Sequence, residues 1–287
     1  MCSETRALGV NICLINFDAV WKNKQKNIEK KEELIKRALE LNSETQLIVF
    51  PELSLTGYIL DEDSLKLAET EFWESIEKVK ELAKKYEIAI MFGFIEKKWQ
   101  GELSWKDKRG CPGVNDKPYN STIVIDKNWE ILAKYRKNHL FTQSIEPDIY
   151  SAWDKLEIFD FEWVKCGLSI CFDIRYPRLY ETYKYEWVEC VITPYAWVDW
   201  RNKPDIFASL SKWRSSENQF FMVWVDNIWK DMNNSYAWNA IVSNPYSEDI
   251  KETKEEIFHF AEIDTSEIKN IESIIPLEWS FRESYKI

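Results

Sequence analysis

Short apolar runs alternate with charged, amphipathic segments along most of the chain, and this alternation constrains the fold more than any other feature. The apolar runs are rich in β-branched and large apolar residues and have the length of buried strands. In the charged segments, apolar residues recur at helical spacing. No repeat, low-complexity linker or compositional break interrupts the pattern. Interleaving of this kind favours a single α/β domain over residues 1–287.

The pattern assigns most of the chain to an element. Predicted strands cover residues 7–17, 46–50, 88–95, 119–126, 130–135, 156–161, 164–170, 188–193, 220–227, 236–243 and 257–263. Predicted helices cover residues 22–41, 64–86, 177–183 and 204–218. Irregular structure is expected at residues 97–118 and 136–155. The core is expected to span residues 7–263, and residues 264–287 show little periodicity, so we expect a tail that packs on a partner subunit.

The chain is acidic, which bears on its partners. It has 38 Lys and Arg residues against 49 Asp and Glu residues, for a net charge of −11. Nucleic acids and anionic membranes need clustered positive charge, so we expect neither as a partner. No apolar run approaches the roughly 20 residues of a membrane span, and the N-terminal residues lack the apolar core of a signal peptide. These features predict a cytoplasmic protein.

The six cysteines are scattered and form no Cys-x-x-Cys pair, so free thiols are expected. The only histidines are His139 and His259, which argues against a histidine-rich metal site. A nucleophilic cysteine in this chain would therefore depend on a carboxylate as its base.

Cys171 occupies a corner between a predicted strand and a predicted helix. The strand, residues 164–170, ends in a sharp turn at Cys171, and Pro177 suits the first turn of the helix that follows. A cysteine at such a corner is expected to be exposed on one side and to lie near a helix N-terminus, conditions that favour the thiolate. Taken alone, a buried and unreactive cysteine is the alternative interpretation.

Three acidic and basic residues are candidates to act with this cysteine. Glu52 follows a predicted buried strand, where an unpaired carboxylate would be costly. Lys137 is followed closely by Leu140 and Phe141, so its segment turns inward, and Glu146 lies nine positions beyond Lys137. Each also has an ordinary interpretation, as a helix cap, a solvated basic patch and a surface acid respectively.

Placed in one pocket, these residues support one chemistry. Glu52 takes the proton of Cys171, and the thiolate attacks a carbonyl or nitrile carbon. Lys137 and the backbone N–H of Phe172 stabilise the oxyanion. Glu52 then passes its proton to the departing amine and later activates the water that cleaves the thioester. Glu146 orients Lys137 and balances its charge.

The motifs that carry these residues resemble those of the nitrilase (carbon–nitrogen hydrolase) superfamily. The matching segments, in the family's order, are Phe50–Leu53 with Thr56–Tyr58, Tyr135–Leu140, Gly167–Pro177, Trp213–Gln219 and Asn227. The resemblance implies a four-layer αββα sandwich whose two sheets pack face to face, assembled into homodimers or larger homo-oligomers. It also implies catalytic roles for Glu52, Lys137 and Cys171, a supporting role for Glu146, and chemistry without a metal or organic cofactor.

The residues after the nucleophile resemble the ω-amidase branch of this family. Cys171–Pro177 is similar to the Cys-Tyr-Asp-x-Arg-Phe pattern of ω-amidases, which hydrolyse α-keto acid amides and dicarboxylate monoamides. A substrate with a free carboxylate needs a cation, and Arg175 is the candidate, with a salt bridge that supports the helix as the alternative. Tyr58 and Trp197 are further candidates for the substrate pocket.

The expected function is therefore a thiol amidohydrolase that releases ammonia from a small amide. An N-carbamoyl amine hydrolase or a nitrilase of the same superfamily is the first alternative, and an acyltransferase using the same thioester is another. A scaffold that kept the fold without activity is the alternative from another class, because the aromatic loops near residues 229–246 depart from the family pattern and could narrow the pocket.

Overall fold

The computed structural model describes residues 9–99, 117–228, 230–231, 234–237 and 239–277. The strands are β1 (Gly9–Ile15), β2 (Leu47–Val49), β3 (Ala89–Glu96), β4 (Tyr119–Ile125), β5 (Ile131–Arg136), β6 (Ile158–Phe161), β7 (Val164–Leu168), β8 (Cys190–Tyr195), β9 (Phe221–Asp226), β10 (Ala240–Ser243), β11 (Glu252–Lys254) and β12 (Phe258–Asp264). The helices are α1 (Lys24–Leu41), α2 (Asp63–Leu67), α3 (Glu74–Lys85), α4 (Glu146–Ile149), α5 (Pro177–Tyr185), α6 (Lys203–Asn218) and α7 (Ser266–Ile274).

The strands form two sheets. One has seven strands in the order β11-β12-β1-β2-β3-β4-β5, and the other has five in the order β10-β9-β8-β7-β6. β1, β2 and β3 are parallel to one another, as are β7, β8 and β9, while the outer strands pair antiparallel. The carboxyl ends of neighbouring parallel strands lie at one edge of a sheet, which is where α/β folds place their sites.

The first sheet buries both of its faces. Val10 and Ile12 of β1 pack in one apolar cluster with residues of the second sheet. Cys13 and Ile15 point the opposite way and pack with apolar residues of α1 and α3. This alternation follows from the period of two of a strand. On the second sheet, Phe207 of α6 packs into the cluster formed by the strands. The layers confirm the predicted αββα sandwich.

The predicted helix over residues 64–86 is instead two helices, α2 and α3. Between them, the backbone of Glu69 pairs with the end of β3: its N–H donates to Ile95 O, and its carbonyl accepts from Lys97 N. A backbone that is hydrogen-bonded to a strand cannot make helical bonds at the same position, so the helix is interrupted there.

The segment over residues 264–287, which showed little periodicity and was predicted to be a tail, begins with a helix. α7 forms over Ser266–Ile274, and Ile268 and Ile271 are buried against the chain itself. The rest of the tail, from residue 278, lies outside the described residues, and its packing on a partner subunit stays a prediction. The short strand β11 and the one-turn helix α4 were not predicted.

Among the helices that the structure describes, none combines the length and the apolar character that crossing a bilayer requires.

Candidate active site

The candidate catalytic residues all lie just beyond the carboxyl ends of strands. Glu52 follows β2, Lys137 follows β5 directly, and Cys171 follows β7. The loop after β8 begins at Ala196, and β9 is followed by Asn227. Strands of both sheets therefore supply the site, and the sandwich brings their ends together.

A glycine allows the Glu52 loop to pack closely on β3. A Cβ atom at Gly93 would lie 2.2 Å from the backbone nitrogen of Leu53, so no other residue fits there without moving the loop. Leu53 itself adopts a left-handed conformation with φ 50°. On the other side, Asn227 Nδ2 donates to the backbone oxygen of Glu52 at 3.2 Å. These contacts fix the backbone from which the Glu52 side chain projects.

The side chains of Glu52, Lys137 and Glu146 form one buried cluster. Lys137 Nζ donates to Glu52 Oε1 at 2.8 Å and to the two Glu146 oxygens at 2.9 and 3.1 Å. Asn120 Nδ2 bridges the same two carboxylates, at 2.7 Å from Glu52 Oε1 and 3.1 Å from Glu146 Oε1. The backbone N–H of Ala196 donates to Glu52 Oε2 at 2.7 Å. The cluster thus holds two carboxylates around one ammonium.

The pKa shifts in this cluster follow from burial and charge. Burial alone would lower the pKa of Lys137, but Glu146 and Glu52 raise it well above its usual value, so the ammonium stays charged. Burial raises the pKa of Glu52, the Lys137 ammonium opposes the rise, and the Glu146 charge adds to it. A carboxylate with a raised pKa is a stronger base than one in water.

Cys171 lies at the expected corner, but its surroundings differ from those expected. The residue is only 8% exposed and has a left-handed backbone conformation with φ 45°. Burial and the charge of Glu52 raise the pKa of the Cys171 thiol well above its usual value, against the opposing effects of Lys137 and the Ala196 N–H. The prediction that the corner favours the thiolate is therefore wrong. The α-helix starts at Pro177, as predicted, after a 3-10 turn over Cys171–Arg175.

Asp173 holds this corner in shape. Its Oδ2 accepts from the backbone N–H of Ile170 at 2.9 Å and from the Tyr135 hydroxyl at 2.8 Å. Its Oδ1 accepts from the backbone N–H of His139 at 2.9 Å and lies 2.7 Å from His139 Nδ1. The buried carboxylate thereby ties the segment that contains Lys137 to the turn that contains Cys171.

Arg214 supports the far end of the same turn. Its Nε and one terminal nitrogen donate to the backbone oxygen of Ile174 at 3.1 and 2.9 Å. Asn218 Nδ2 in turn donates to the backbone oxygen of Arg214 at 2.9 Å. The Trp213–Gln219 segment therefore supports the site indirectly, by holding the conformation of the turn that begins at Cys171.

The candidate substrate-binding residues are Tyr58, Trp197 and Arg175, of which the first two are buried and the third is exposed. Tyr58 is buried, and after burial itself the charges of Glu146 and Glu52 are the largest causes that raise its pKa. Trp197 is buried, and the Arg175 guanidinium lies 5.4 Å from the centre of its ring. No carboxylate of the described residues pairs with Arg175, so the alternative of a supporting salt bridge finds no partner there.

Phe172 is half-buried and packs edge-to-face against Phe141, with ring centres 5.2 Å apart. Trp229 and Trp238, which belong to the aromatic loops expected to reshape the pocket, lie outside the described residues.

Sequence reasoning missed Asn120, Asp173 and Lys203 as parts of the site. Asn120 begins a run of three polar residues in the otherwise apolar strand β4, and a polar run at a buried position is a signal that was available. Asp173 belongs to the motif Cys171–Pro177 and has no separate signal in the sequence. Lys203 is the first residue of α6, and its side chain lies 5.4 Å from the centre of the Trp197 ring. Within the described residues, no group of three or more metal-ligating side chains could hold an ion.

Comparisons with known proteins agree with the motifs and the fold. Residues 6–271 match the family model described as carbon-nitrogen hydrolase. The 2-oxoglutaramate amidase of Bacillus subtilis is 26% identical over 267 residues, which cover 93% of this chain and 95% of that protein. The omega-amidase NIT3 of Saccharomyces cerevisiae is 25% identical over 280 residues, which cover 93% and 91%. A solved carbon-nitrogen hydrolase from Helicobacter pylori G27 has a TM-score of 0.84 at 18% identity, with 96% of both chains covered, and shows the same fold.

Proposed function

The chain belongs to the carbon–nitrogen hydrolase family, and we propose that it is a cysteine-dependent amidohydrolase that converts a small amide into a carboxylic acid and ammonia. The observation that carries the proposal is the buried cluster in which Glu52 accepts hydrogen bonds from Lys137 and from Ala196, beside the Cys171 thiol. A base, a cation and a nucleophile in one place are the groups that acyl transfer needs.

In the first half of the reaction, Glu52 takes the thiol proton of Cys171 as the sulfur attacks the amide carbon. The raised pKa of Glu52 makes it a stronger base for this proton than a carboxylate in water. The tetrahedral intermediate carries its negative charge on the former carbonyl oxygen. When it collapses, the C–N bond breaks, Glu52 returns the proton to the leaving nitrogen, and a thioester with Cys171 remains.

In the second half, water replaces ammonia. Glu52 takes a proton from that water, the hydroxide attacks the thioester carbon, and the carboxylic acid leaves as the Cys171 thiol is restored. The hydrogen bond from the Ala196 N–H keeps Glu52 Oε2 in place, while Oε1 stays bonded to Lys137 and Asn120.

Lys137 and the backbone N–H of Phe172 are proposed to bind the oxyanion. An ammonium has three donor hydrogens, and those of Lys137 all point at carboxylate oxygens in the free protein. The longest of the three contacts, 3.1 Å to Glu146 Oε2, is the one that can be exchanged for the oxyanion most easily. Glu146 then keeps Lys137 in position through its other oxygen.

We propose an ω-amidase-like substrate, an amide that also carries a carboxylate. The support is twofold: the two curated relatives are named for 2-oxoglutaramate amidase and omega-amidase activity, and the exposed Arg175 guanidinium lies over Trp197 beside the site. Tyr58 is proposed to line the same pocket.

We further propose a cytoplasmic homodimer or larger homo-oligomer made of one domain. Cys13, Cys166, Cys171 and Cys190 are all free, which suits a reducing compartment. Trp187 and Trp213 are 63% and 68% exposed on the second sheet's side of the molecule, and large exposed aromatic rings are typical of interfaces between proteins.

The test is ammonia release by the purified protein from α-keto acid amides, dicarboxylate monoamides, neutral amides, N-carbamoyl amines and nitriles. Cys171→Ala is compared with Cys166→Ala, which removes another buried thiol from β7, the strand before Cys171. We expect release from carboxylate-bearing amides, lost only in Cys171→Ala. Equal release from wild type and Cys171→Ala would overturn the thiol mechanism, and release only from N-carbamoyl amines or nitriles would overturn the substrate class.

A further inference from the structure

Lys203 is a half-buried cation that has no acidic partner among the described residues. Its ammonium lies 4.9 Å from the centre of the Phe141 ring and 5.4 Å from that of Trp197. The Trp197 indole is in turn fixed by a hydrogen bond from its Nε1 to the Lys203 backbone oxygen at 3.1 Å. The position of the lysine and the position of the ring are thus coupled.

A second cation shares the same ring. The Arg175 guanidinium lies 5.4 Å from the centre of the Trp197 indole. The two positive charges repel, and the repulsion adds to burial in lowering the pKa of Lys203. The acid that opposes this effect is Asp226, but its carboxylate is already engaged by the backbone N–H groups of Trp197 and Ala237, at 2.7 and 3.2 Å.

The ring that both cations share is next to the site already described. Trp197 follows Ala196, whose N–H donates to Glu52 Oε2 at 2.7 Å, and Arg175 ends the 3-10 turn that begins at Cys171. A half-buried ammonium without a counter-ion, beside a second positive charge, is costly in the free protein, and an anionic ligand reduces that cost. In a chain with 49 acidic residues, two neighbouring cations without an ion pair to any described residue point to such a ligand.

We propose that Lys203 acts with Arg175 as the anion subsite of the pocket and binds the carboxylate of the substrate while the amide carbon lies against Cys171. The inference rests on the proposed amidohydrolase activity and adds a specificity-determining residue to it. The planar guanidinium suits bidentate binding of a carboxylate, and the ammonium supplies a second point charge. Phe141 and Trp197 shield the contact from water, which strengthens it.

The first experiment measures selectivity between two substrates of equal length, the monoamide of a dicarboxylic acid and the corresponding amide whose carboxylate is a methyl ester. We expect wild type to prefer the acid, and Lys203→Met to reduce the ratio of the two kcat/KM values about 10- to 100-fold, through KM. Lys203→Arg restores part of the ratio. The control, Lys212→Met, removes the same charge from the same helix. No preference in wild type, or equal losses on both substrates, would overturn the proposal.

The second experiment does not depend on turnover. Cys171 is alkylated with iodoacetate or with iodoacetamide, which differ in charge, and the labelled peptide is quantified by mass spectrometry. We expect Lys203→Met to lower the iodoacetate-to-iodoacetamide rate ratio about tenfold, with no such change in Lys212→Met. An unchanged ratio would overturn the anion subsite. If no amide is hydrolysed by wild type while this ratio falls, the proposed function fails and the subsite stands.

Discussion

The backbone N–H of Ala196 donates a hydrogen bond to Glu52 Oε2 at 2.7 Å, although 144 residues separate the two in the chain. Glu52 follows a strand of the first sheet, and Ala196 follows a strand of the second. Asn227, at the end of another strand of the second sheet, also binds the backbone oxygen of Glu52. The place of this carboxylate is therefore set by the packing of the two sheets, and not by its own loop alone.

The cluster around Glu52 predicts a large loss of stability when its cation is removed. Lys137→Met would leave two fully buried carboxylates, Glu52 and Glu146, with no ammonium between them. Loss of one partner of a buried ion pair costs about 3–5 kcal/mol. We expect a decrease of that order in the free energy of unfolding, measured with urea at pH 8.

The pH dependence of this loss has a defined sign. Without Lys137, burial and mutual repulsion raise the carboxyl pKa values in the folded state, so the folded protein binds more protons than the unfolded chain. The variant should then lose stability as the pH rises from 5.5 to 8, relative to wild type. Lys127→Met, at an exposed hairpin turn, removes the same charge and should change little. A variant whose deficit is the same at both pH values would contradict this account.

Asp173 provides a second stability prediction. Asp173→Asn keeps the shape of the side chain but replaces one acceptor oxygen with an NH₂ group. In wild type, the carboxylate accepts hydrogen bonds from three donors: the Ile170 N–H, the Tyr135 hydroxyl and the His139 N–H. In the variant, at least one of these donors would face the NH₂ group, which is also a donor. We expect a loss of about 1–3 kcal/mol in the free energy of unfolding. A fall in kcat should accompany it, since the same bonds orient the Cys171 turn.

The control for this variant is Asp160→Asn, an exposed position on β6. Denaturant unfolding and steady-state kinetics measured on both variants separate the role of Asp173 from the loss of one negative charge. Equal stability of the two variants would show that the Asp173 hydrogen bonds do not hold the turn.

Much of the fold and of the site was predictable from the sequence, because the strands and the residues at their ends follow from the local pattern of apolar residues. The apolar runs that became β2, β5 and β7 place Glu52, Lys137 and Cys171 at strand ends, and the strand-end position follows from the sequence alone. Asn120 could not be assigned in this way, because its amide bridges two carboxylates from segments 68 and 26 residues away. Only the packed strands show which carboxylates lie opposite it.

The wrong predictions also have physical causes. The thiolate at Cys171 was expected from the local backbone, but burial raises the pKa of the thiol, and so does the charge of Glu52, which packing brings in from the other sheet. The helical periodicity of residues 64–86 was real, yet pairing of Glu69 with β3 overrode it. In both cases a tertiary contact outweighed the local preference.

His259 predicts a contribution to acid unfolding. The ring is buried, with Nε2 2.6 Å from Asn16 Oδ1 and Nδ1 2.8 Å from Thr253 Oγ1. Burial lowers its pKa from 6.5 to about 4. Between those values the unfolded chain binds a proton that the folded protein does not, so stability falls as the pH is lowered through this window. The shift corresponds to about 3 kcal/mol lost by pH 4.

The measurement for His259 is the free energy of unfolding of wild type and His259→Gln at pH 7, 5.5 and 4. Glutamine can still make polar contacts with Asn16 and Thr253 but does not titrate. We expect the difference in stability between wild type and variant to shrink as the pH falls. Parallel pH profiles for the two proteins would show that His259 does not titrate between 4 and 6.5.

The last prediction separates the two effects of Glu52 on the nucleophile. As a base, Glu52 is needed for turnover, so Glu52→Gln should lower kcat/KM by about 10²–10⁴-fold. As a negative charge beside the thiol, it raises the pKa of Cys171. Removing that charge leaves the Lys137 ammonium to stabilise the thiolate, so the resting thiol should ionise more readily in the variant.

The expected result is therefore an inactive variant with a more reactive cysteine. At pH 7.5, iodoacetamide should label Cys171 of Glu52→Gln about tenfold faster than Cys171 of wild type, since one unit of pKa changes the thiolate fraction tenfold. Glu130→Gln, at an exposed position of the hairpin turn, is the control for loss of a negative charge. Slower labelling in Glu52→Gln would mean that Glu52 already holds the thiol proton in the free protein, and that Cys171 rests as a thiolate paired with Lys137.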